Sequence, residues 1–218
     1  GLTGPDGAGH NGVWDLATLQ IVPGIRIAAP RDAERLHELL AEAVTVTDAP
    51  TVLRYPKGSV APESPALRRT ADGVDVLRGS ASDDGTARDV LFVSVGPMSE
   101  LAIAAAALLE AKGISCTVVD PRWVVPVRES VVEMARTHRL LISIEDGIRV
   151  GGIGTRIRQA LRDAGVDTAV SELGTPDEFP GHATRGQLLQ DAGLTAEQIA
   201  ADVEAQVRGA RIPIARPE

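Results

Sequence analysis

The chain has 218 residues, enough for one large domain or two small ones, and its 44% hydrophobic residues can fill an ordinary core. A net charge of −8 without any basic cluster argues against a nucleic-acid or anionic-membrane surface. The single cysteine, Cys116, excludes an intrachain disulfide and a thiolate metal cluster. No run approaches the roughly 20 apolar residues of a membrane span.

Arginine provides 20 of the 22 basic residues, since Lys57 and Lys112 are the only lysines. Together with the high alanine content, this codon bias is typical of a GC-rich bacterial genome. The chain opens with neither an initiating Met nor a signal peptide, and it starts inside a Gly-rich loop. We therefore expect it to be part of a longer cytoplasmic protein.

The loop from Gly4 to Asp15 is the stretch with the strongest chemical character. Four glycines surround Asp6 and His10, and glycine lets a ligand approach the backbone closely. An imidazole can donate or accept a proton, and a carboxylate can orient a hydroxyl group or balance a positive charge. On pattern alone, a surface turn that holds one solvated histidine is at least as common an explanation.

A strand–helix–strand unit follows the loop. Ile25–Ala29 is predicted as a buried strand, Pro30 opens a helix that Asp32 caps, and Thr51–Tyr55 is the next strand. Four residues at helical spacing form the predicted apolar stripe of the helix: Leu36, Leu39, Leu40 and Ala43. Arg54 then lies near the carboxyl end of a strand, the edge where open α/β sheets bind ligands. The alternative for Arg54 is a surface ion pair.

Residues 59–88 lack periodicity and are predicted as a linker, within which only Val74–Leu77 fits a short strand. A second alternating unit follows. Its predicted strands are Asp89–Val95, Ile114–Val119, Leu140–Ile144 and Val166–Glu172, and its predicted helices are Glu100–Ala111, Val127–Thr137, Thr155–Ala164, Thr184–Ala192 and Thr195–Val207. This order predicts an α/β fold with a mostly parallel sheet covered by helices on both faces.

The glycine-rich turn Gly151–Gly154 precedes a helix and could in principle hold a phosphate group. The third glycine of a dinucleotide fingerprint is missing there, because Ile157 occupies its place. The carboxylates of Glu145 and Asp146 would also repel phosphate. We therefore predict a purely structural turn.

Several motifs, in order along the chain, resemble one enzyme family. The loop Asp-Gly-x-x-His-Asn-Gly-x-Trp-Asp, at 6–15, resembles the substrate loop of the 1-deoxy-D-xylulose-5-phosphate synthases, in the thiamine-diphosphate-dependent transketolase superfamily. Further matching runs are Ile25–Asp32, Leu53–Gly58, Asp120–Trp123 and Asp177–Leu189. One departure is Gly9, which stands where the family usually has Ser or Thr, so a hydroxyl contact to ligand is absent.

The resemblance implies a domain map. Residues 1–58 correspond to the C-terminal half of a transketolase-type pyrimidine-binding domain, 59–88 to the linker, and 89–208 to the transketolase C-terminal domain, followed by a tail at 209–218. In this family the C-terminal domain shapes a homodimer and carries little direct chemistry. The expected partners are therefore a second copy and the missing N-terminal portion of the same enzyme, with neither nucleic acid nor a membrane.

The resemblance also implies an activity. Enzymes of this family join pyruvate to D-glyceraldehyde 3-phosphate with loss of carbon dioxide, using thiamine diphosphate and Mg²⁺, and so supply precursors of isoprenoids, thiamine and pyridoxal. His10 matches the histidine that contacts substrate oxygens and assists proton transfer. Asp6 matches the aspartate at the polar atoms of the acceptor, and Arg54 the arginine that holds the acceptor phosphate. No cofactor-binding or metal-binding residue is assigned to this chain, so we expect it to be inactive alone.

Two other hypotheses remain open from the sequence. The chain could be a non-catalytic transketolase-like module for interaction or dimerisation. It could also be a piece of a related transketolase or of a 2-oxo acid dehydrogenase β subunit. The Trp-Asp pair after His10, the Arg-Tyr-Pro-Lys-Gly run and the Phe…His-Ala-x-Arg motif favour the synthase family.

Overall fold

Apolar runs bounded by Gly, Pro and Asp form the strands of this protein, and Ala- and Leu-rich segments form its helices. The structure is a computed structural model that describes residues 1–79 and 88–209. The predictions for 80–87 of the linker and for 210–218 of the tail lie outside the described residues.

The described residues form nine strands and seven α-helices. The strands are β1 (Arg26–Ala28), β2 (Thr51–Leu53), β3 (Arg68–Arg69), β4 (Asp75–Arg78), β5 (Arg88–Ser94), β6 (Cys116–Asp120), β7 (Trp123–Val125), β8 (His138–Ile148) and β9 (Ala169–Thr175). The helices are α1 (Asp15–Leu19), α2 (Ala33–Ala43), α3 (Ser99–Glu110), α4 (Glu129–Arg136), α5 (Ile153–Asp163), α6 (Arg185–Asp191) and α7 (Ala196–Val207). Short 3₁₀ turns span Ala8–His10 and Gly96–Met98.

The first sheet has three strands in the order β2-β1-β7. Strands β1 and β2 are parallel, as the strand–helix–strand pattern predicts, whereas β7 is antiparallel to β1. Strand β7 follows a turn in which Arg122 has φ +60. Strand β7 lies between β6 and α4 of the second unit, and its three residues join that unit to the sheet of the first, a connection that local periodicity does not reveal.

The second sheet has six strands in the order β3-β4-β6-β5-β8-β9. Strands β5, β6, β8 and β9 pair in parallel, which confirms the predicted mostly parallel α/β fold. Strand β4 pairs antiparallel with β6 and with β3. The described part of 59–88 thus adds an antiparallel margin to this sheet.

The two faces of the second sheet hold separate apolar cores. In β5, Leu91 and Val93 face a core that also includes residues of α4 and α5, whereas Val90 and Phe92 face a core with α3 and α7. This alternation follows from the two-residue period of a strand. With both faces buried, the sheet provides a rigid base for the residues at its carboxyl edge.

Helix α2 has the predicted N-terminal cap but not the whole of the predicted apolar stripe. Its predicted cap is confirmed, because Asp32 Oδ1 accepts a hydrogen bond from the Arg35 N–H at 2.8 Å. The predicted apolar stripe is wrong at Leu40, which is 51% exposed, while the Arg35 side chain is buried instead. Arg35 replaces an apolar residue there because Glu38 pairs with its guanidinium at 2.9 Å.

Candidate active site

The N-terminal loop is ordered by one buried amide side chain. Asn11 Oδ1 accepts from the Thr3 N–H at 2.7 Å, and Asn11 Nδ2 donates to the Gly7 carbonyl at 3.0 Å. Asn11 is buried, so both bonds are shielded from water. The loop that carries Asp6 and His10 is therefore braced from within, a role for Asn11 that motif reading missed.

The structure brings two predicted residues, Asp6 and His10, into contact. His10 is exposed, and its Nδ1 lies 3.2 Å from the Asp6 carbonyl oxygen. The Asp6 carboxylate pairs with Lys57, which follows β2, and this hydrogen bond lowers the pKa of Asp6. Lys57 thus joins Asp6 and His10 at this corner, a contact that the motifs did not indicate.

Arg54 lies beyond the end of β2 and is buried, so the alternative of a surface ion pair is wrong. Its Nε donates to Asp15 Oδ2 at 3.0 Å, and its Nη1 donates to the carboxylate of Asp146. Its Nη2 lies 3.4 Å from the Asp146 carbonyl oxygen. The backbone of Gly1 covers the same head group, since a Cβ at Gly1 would collide with Arg54 and Asp146. Within the described residues, the polar contacts of Arg54 run to Asp15 and Asp146 rather than to Asp6 or His10.

Two adjacent acids near the end of β8, Glu145 and Asp146, have pKa values shifted in opposite directions. Burial raises the pKa of both, and for Glu145 it dominates and raises the pKa to about 8. For Asp146 the charges of Arg54 and Arg185 outweigh burial and bring the pKa down to about 2. The expectation that both carboxylates oppose phosphate is therefore wrong, because Glu145 is mostly protonated at neutral pH and two arginines offset Asp146.

The glycine-rich turn before α5 is structural, as predicted. Glu145 Oε1 accepts a hydrogen bond from the Gly154 N–H at 3.2 Å, so a side chain of the protein itself occupies the start of this helix. A Cβ at Gly152 would also collide with the Glu145 carboxyl group. No room is left there for a phosphate group.

A segment near the C-terminus, 179–188, packs on the N-terminal loop. The ring of Phe179 meets that of Trp14 edge-on, with centroids 5.4 Å apart. Gly7, with φ +81, lies so close to the ring of His182 that any Cβ would collide with it. Arg185 Nη1 donates to the Leu2 carbonyl at 2.6 Å.

Arg185 also joins this segment to the buried acid. Its Nη2 lies 2.7 Å from Asp146 Oδ2, although the angles of this ion pair do not meet hydrogen-bond geometry. Arg185 begins α6, which Thr184 and Gln187 start with a reciprocal capping box. The first and last motifs of the sequence thus form one structural unit, which no spacing rule could have indicated across some 170 residues.

Residues 1–79 and 88–209 contain no group of three His, Cys, Asp or Glu side chains placed to hold a metal ion. Those residues thus offer no cluster of three such side chains to Mg²⁺, an ion that proteins commonly hold with one or two carboxylates and phosphate oxygens of a bound ligand. None of the described helices combines the length and the apolarity needed to cross a bilayer.

Comparison with known families settles the fold family. Residues 79–199 match the transketolase C-terminal domain, which is more than half of the chain, and residues 1–62 match the transketolase pyrimidine-binding domain. The chain belongs to the transketolase family.

Among curated proteins, the chain is 63% identical over 217 residues to the 1-deoxy-D-xylulose-5-phosphate synthase of Leifsonia xyli subsp. xyli. It is also 63% identical to that of Clavibacter sepedonicus and 60% identical to that of Pseudarthrobacter chlorophenolicus. In each case the whole chain is aligned but only 33% of the relative. The chain therefore spans about a third of the length of these relatives.

Among solved structures, the chain resembles a split-gene transketolase, described as an inactive β4 tetramer, with a TM-score of 0.78 and 26% identity. The likeness covers 94% of this chain and 64% of that one. A transketolase from Campylobacter jejuni gives a TM-score of 0.71 at 15% identity, over 93% of this chain and 29% of that one, which supports the fold alone.

Proposed function

We propose that these residues are the C-terminal portion of a 1-deoxy-D-xylulose-5-phosphate synthase. Such an enzyme condenses pyruvate with D-glyceraldehyde 3-phosphate, with loss of carbon dioxide, and supplies isoprenoid, thiamine and pyridoxal precursors. The observation that carries the proposal is the packing of the loop 4–15 on the segment 179–188, since both are motifs of that family. Identity of 63% to two such synthases, over this whole chain and a third of their length, supports it.

In this proposal His10 moves a proton to and from the acceptor oxygen. A carbonyl oxygen can only accept, so the contact between His10 Nδ1 and the Asp6 carbonyl places a proton on Nδ1. Nε2 is then the nitrogen that exchanges a proton with the acceptor. When the new carbon–carbon bond forms, the imidazolium form of His10 donates its Nε2 proton to the aldehyde oxygen, which becomes a hydroxyl group, and the ring is left neutral with its proton on Nδ1.

Arg54 holds the acceptor phosphate in this proposal. A guanidinium has five N–H donors, and three of them face Asp15, the Asp146 carboxylate and the Asp146 carbonyl. One N–H remains on each of Nη1 and Nη2, which suits two oxygens of one phosphate group. Gly1 covers this edge, so phosphate binding requires the backbone there to move aside. Asp6, balanced by Lys57, contacts the polar atoms of the acceptor.

Thiamine diphosphate, held with Mg²⁺, supplies the carbon-centred reactivity toward pyruvate in such an enzyme. The described residues contain no group of three acidic, His or Cys side chains placed for a metal ion, and we assign the main binding groups of both cofactors to the N-terminal portion of the enzyme. Homodimeric assembly and a cytoplasmic location are part of the same proposal and rest on the family resemblance.

A second candidate function is a non-catalytic assembly chain. The observation that favours it is the likeness to the split-gene transketolase, whose similar chain is described as an inactive β4 tetramer. In that case these residues associate with copies of themselves and take no part in catalysis.

A chimera tests the first proposal directly. These 218 residues would replace the matching third of the Leifsonia xyli relative, and carbon dioxide release and product would be measured with pyruvate, glyceraldehyde 3-phosphate, thiamine diphosphate and magnesium. We expect an active chimera and a silent isolated chain. An inactive but folded chimera, beside an active relative, would overturn the proposal, and activity of the isolated chain would overturn the assignment of the cofactor groups.

Paired histidine variants of the chimera test the role of His10. His10→Ala is expected to lower turnover by about 10²- to 10⁴-fold, the usual contribution of a general acid–base group. His37→Ala is the matched control, because this histidine is exposed on α2. Equal turnover of the two variants would reduce His10 to a turn residue.

A further inference from the structure

Asp146 is a fully buried carboxylate that two arginines from distant parts of the chain share. Arg54 reaches it from the end of β2, and Arg185 reaches it from the start of α6. Arg54 also contacts the carbonyl oxygen of Asp146, so one residue of β8 faces two edges of the same guanidinium. Asp146 follows the last pair of β8 with β5, in the stretch between Ile144 and Ile148 where the register with β9 shifts, and it is fully buried there.

Stability alone is a poor explanation for this arrangement. Buried ion pairs carry a large desolvation cost, and apolar replacements are often neutral or stabilising. Two buried carboxyl oxygens here also lack hydrogen-bond partners within the described residues, namely Asp146 Oδ2 and Oε2 of the adjacent Glu145. Such incompletely satisfied polar groups in a buried site call for a role other than packing.

The charges indicate what the second arginine contributes. Asp15 and Asp146 together place two negative charges beside the single positive charge of Arg54. An anion approaching Arg54 would then meet a net negative site. Arg185 adds one positive charge at 2.7 Å from Asp146, so these four side chains are balanced, while the amino group of Gly1 lies 3.4 Å from Asp15.

We propose that Asp146 is the positioning residue for Arg54, with Arg185 as its counter-charge, so that the C-terminal domain sets the geometry of the anion-binding group. This inference rests on the phosphate role proposed for Arg54. It gives the C-terminal domain a part in choosing phosphorylated acceptors, beyond the assembly role that the family resemblance implies.

The chimera provides the kinetic test. Asp146→Asn is expected to raise the KM for glyceraldehyde 3-phosphate by about 10- to 100-fold, as small misplacements of binding groups do, and to leave the KM for pyruvate within about twofold. Asp75→Asn is the matched control, since Asp75 is also fully buried and shared by two arginines, Arg31 and Arg69. The control is expected to lower the melting temperature without changing either KM.

A readout without catalysis comes from the Arg54 side chain in the 218-residue chain. Arg54 Nε–H donates to Asp15 at 3.0 Å inside a buried site, so this proton should exchange slowly with water. Its NMR signal is assigned as the one that disappears in Arg54→Lys. Asp146→Asn is expected to speed this exchange, whereas Asp75→Asn leaves it unchanged. If Asp146→Asn does not fold, Arg185→Lys, which keeps the charge but loses the planar fork, takes its place in both measurements.

The outcomes separate the two proposals. A folded Asp146 or Arg185 variant with an unchanged aldehyde KM, or with an unchanged Arg54 Nε–H signal, overturns the positioning role. An inactive parental chimera overturns the proposed function instead, and the exchange rate of the Arg54 signal still decides whether Asp146 holds Arg54.

Discussion

Two buried clusters of arginines and aspartates differ in how completely their atoms are bonded. In the Arg31 cluster, formed by Arg31, Arg69, Asp75 and Asp120, each of the four carboxylate oxygens accepts at least one hydrogen bond. The remaining Arg31 nitrogens donate to the Ser64 carbonyl. This cluster ties the end of β1 to β4 and β6, and all its carboxylate oxygens have hydrogen-bond donors.

The Arg54 cluster, formed by Arg54, Arg185, Asp15 and Asp146, is bonded less completely. Its Arg54 retains two uncommitted N–H groups, and Asp146 Oδ2 has an ion pair without hydrogen-bond geometry. Fully satisfied networks rigidify a fold, whereas unsatisfied ones mark places where something else is bound. The comparison teaches that burial of an arginine does not by itself tell a structural group from a binding group.

The largest expected effect is on stability in the Arg31 cluster. Arg31→Ala leaves Asp75 and Asp120 buried without their shared cation and is expected to lower the free energy of unfolding by about 3–5 kcal/mol. Arg26→Ala, which breaks an exposed pair with Asp48, should cost only about 0–1 kcal/mol. Urea unfolding of both variants measures the difference in their free energy of unfolding. Similar midpoints for the two variants would contradict a structural role for the Arg31 cluster.

The next effect is on substrate use in the Arg54 cluster. Arg54→Ala in the chimera is expected to reduce kcat/KM for the phosphorylated aldehyde by about 2–5 kcal/mol in free energy, because a desolvated anion loses its charged partner. Pyruvate parameters should change far less. Steady-state kinetics with each substrate varied, beside Arg26→Ala as control, provides the measurement. An equal loss of kcat/KM for both substrates would mean that Arg54 has a structural role rather than a role in binding the phosphate.

A smaller effect is the pH dependence that Glu145 adds beside the Arg54 cluster. Burial raises its pKa from 4.5 to about 8, so folding favours the protonated acid. Its contribution to stability is complete below pH 4.5 and is lost as the pH rises through 8, with a slope of up to about 1.4 kcal/mol per pH unit. Glu145→Gln should therefore flatten the fall in stability between pH 5 and 8. The free energy of unfolding is measured by urea unfolding at several pH values for the variant and the parent. The same fall in this free energy between pH 5 and 8 in both proteins would contradict the prediction.

The smallest effect separates two helix caps. Thr184→Ala and Thr195→Ala each remove a side-chain cap and are expected to cost about 1 kcal/mol of stability. Only Thr184 begins the helix that presents Arg185 to Asp146, so only its loss should also raise the aldehyde KM of the chimera. A rise with Thr195→Ala, measured in the same assay, would point to a general loosening of the domain.

Local pattern predicted much of the fold, whereas the site residues Asp6, His10 and Arg54 came from the family resemblance and their contact partners were not predicted. Asp32 capped its helix as expected, and Arg54 followed a strand, because both depend on neighbours in sequence. The strand β7 was missed because its partner β1 lies almost 100 residues earlier and it is only three residues long.

The partners of Arg54 and Gly7 were missed for the same physical reason. Asp146 lies 92 residues from Arg54, and it stood out in the sequence only as an acid next to a glycine-rich turn. His182 and Arg185 belonged to a quoted motif without an assigned contact. Side-chain packing between distant segments leaves no periodicity in the sequence. The available signal for these contacts was therefore the match of the Phe…His-Ala-x-Arg motif to the family.

The contact between Gly7 and His182 limits how such sequences can recombine. A crossover anywhere in the segment 59–87 would inherit the loop from one parent and the supporting ring from another. Because Gly7 has no side chain to adjust and its φ of +81 suits only glycine, every mismatch would have to be absorbed at position 182. The Gly7–His182 contact is therefore preserved when both segments come from the same parent sequence.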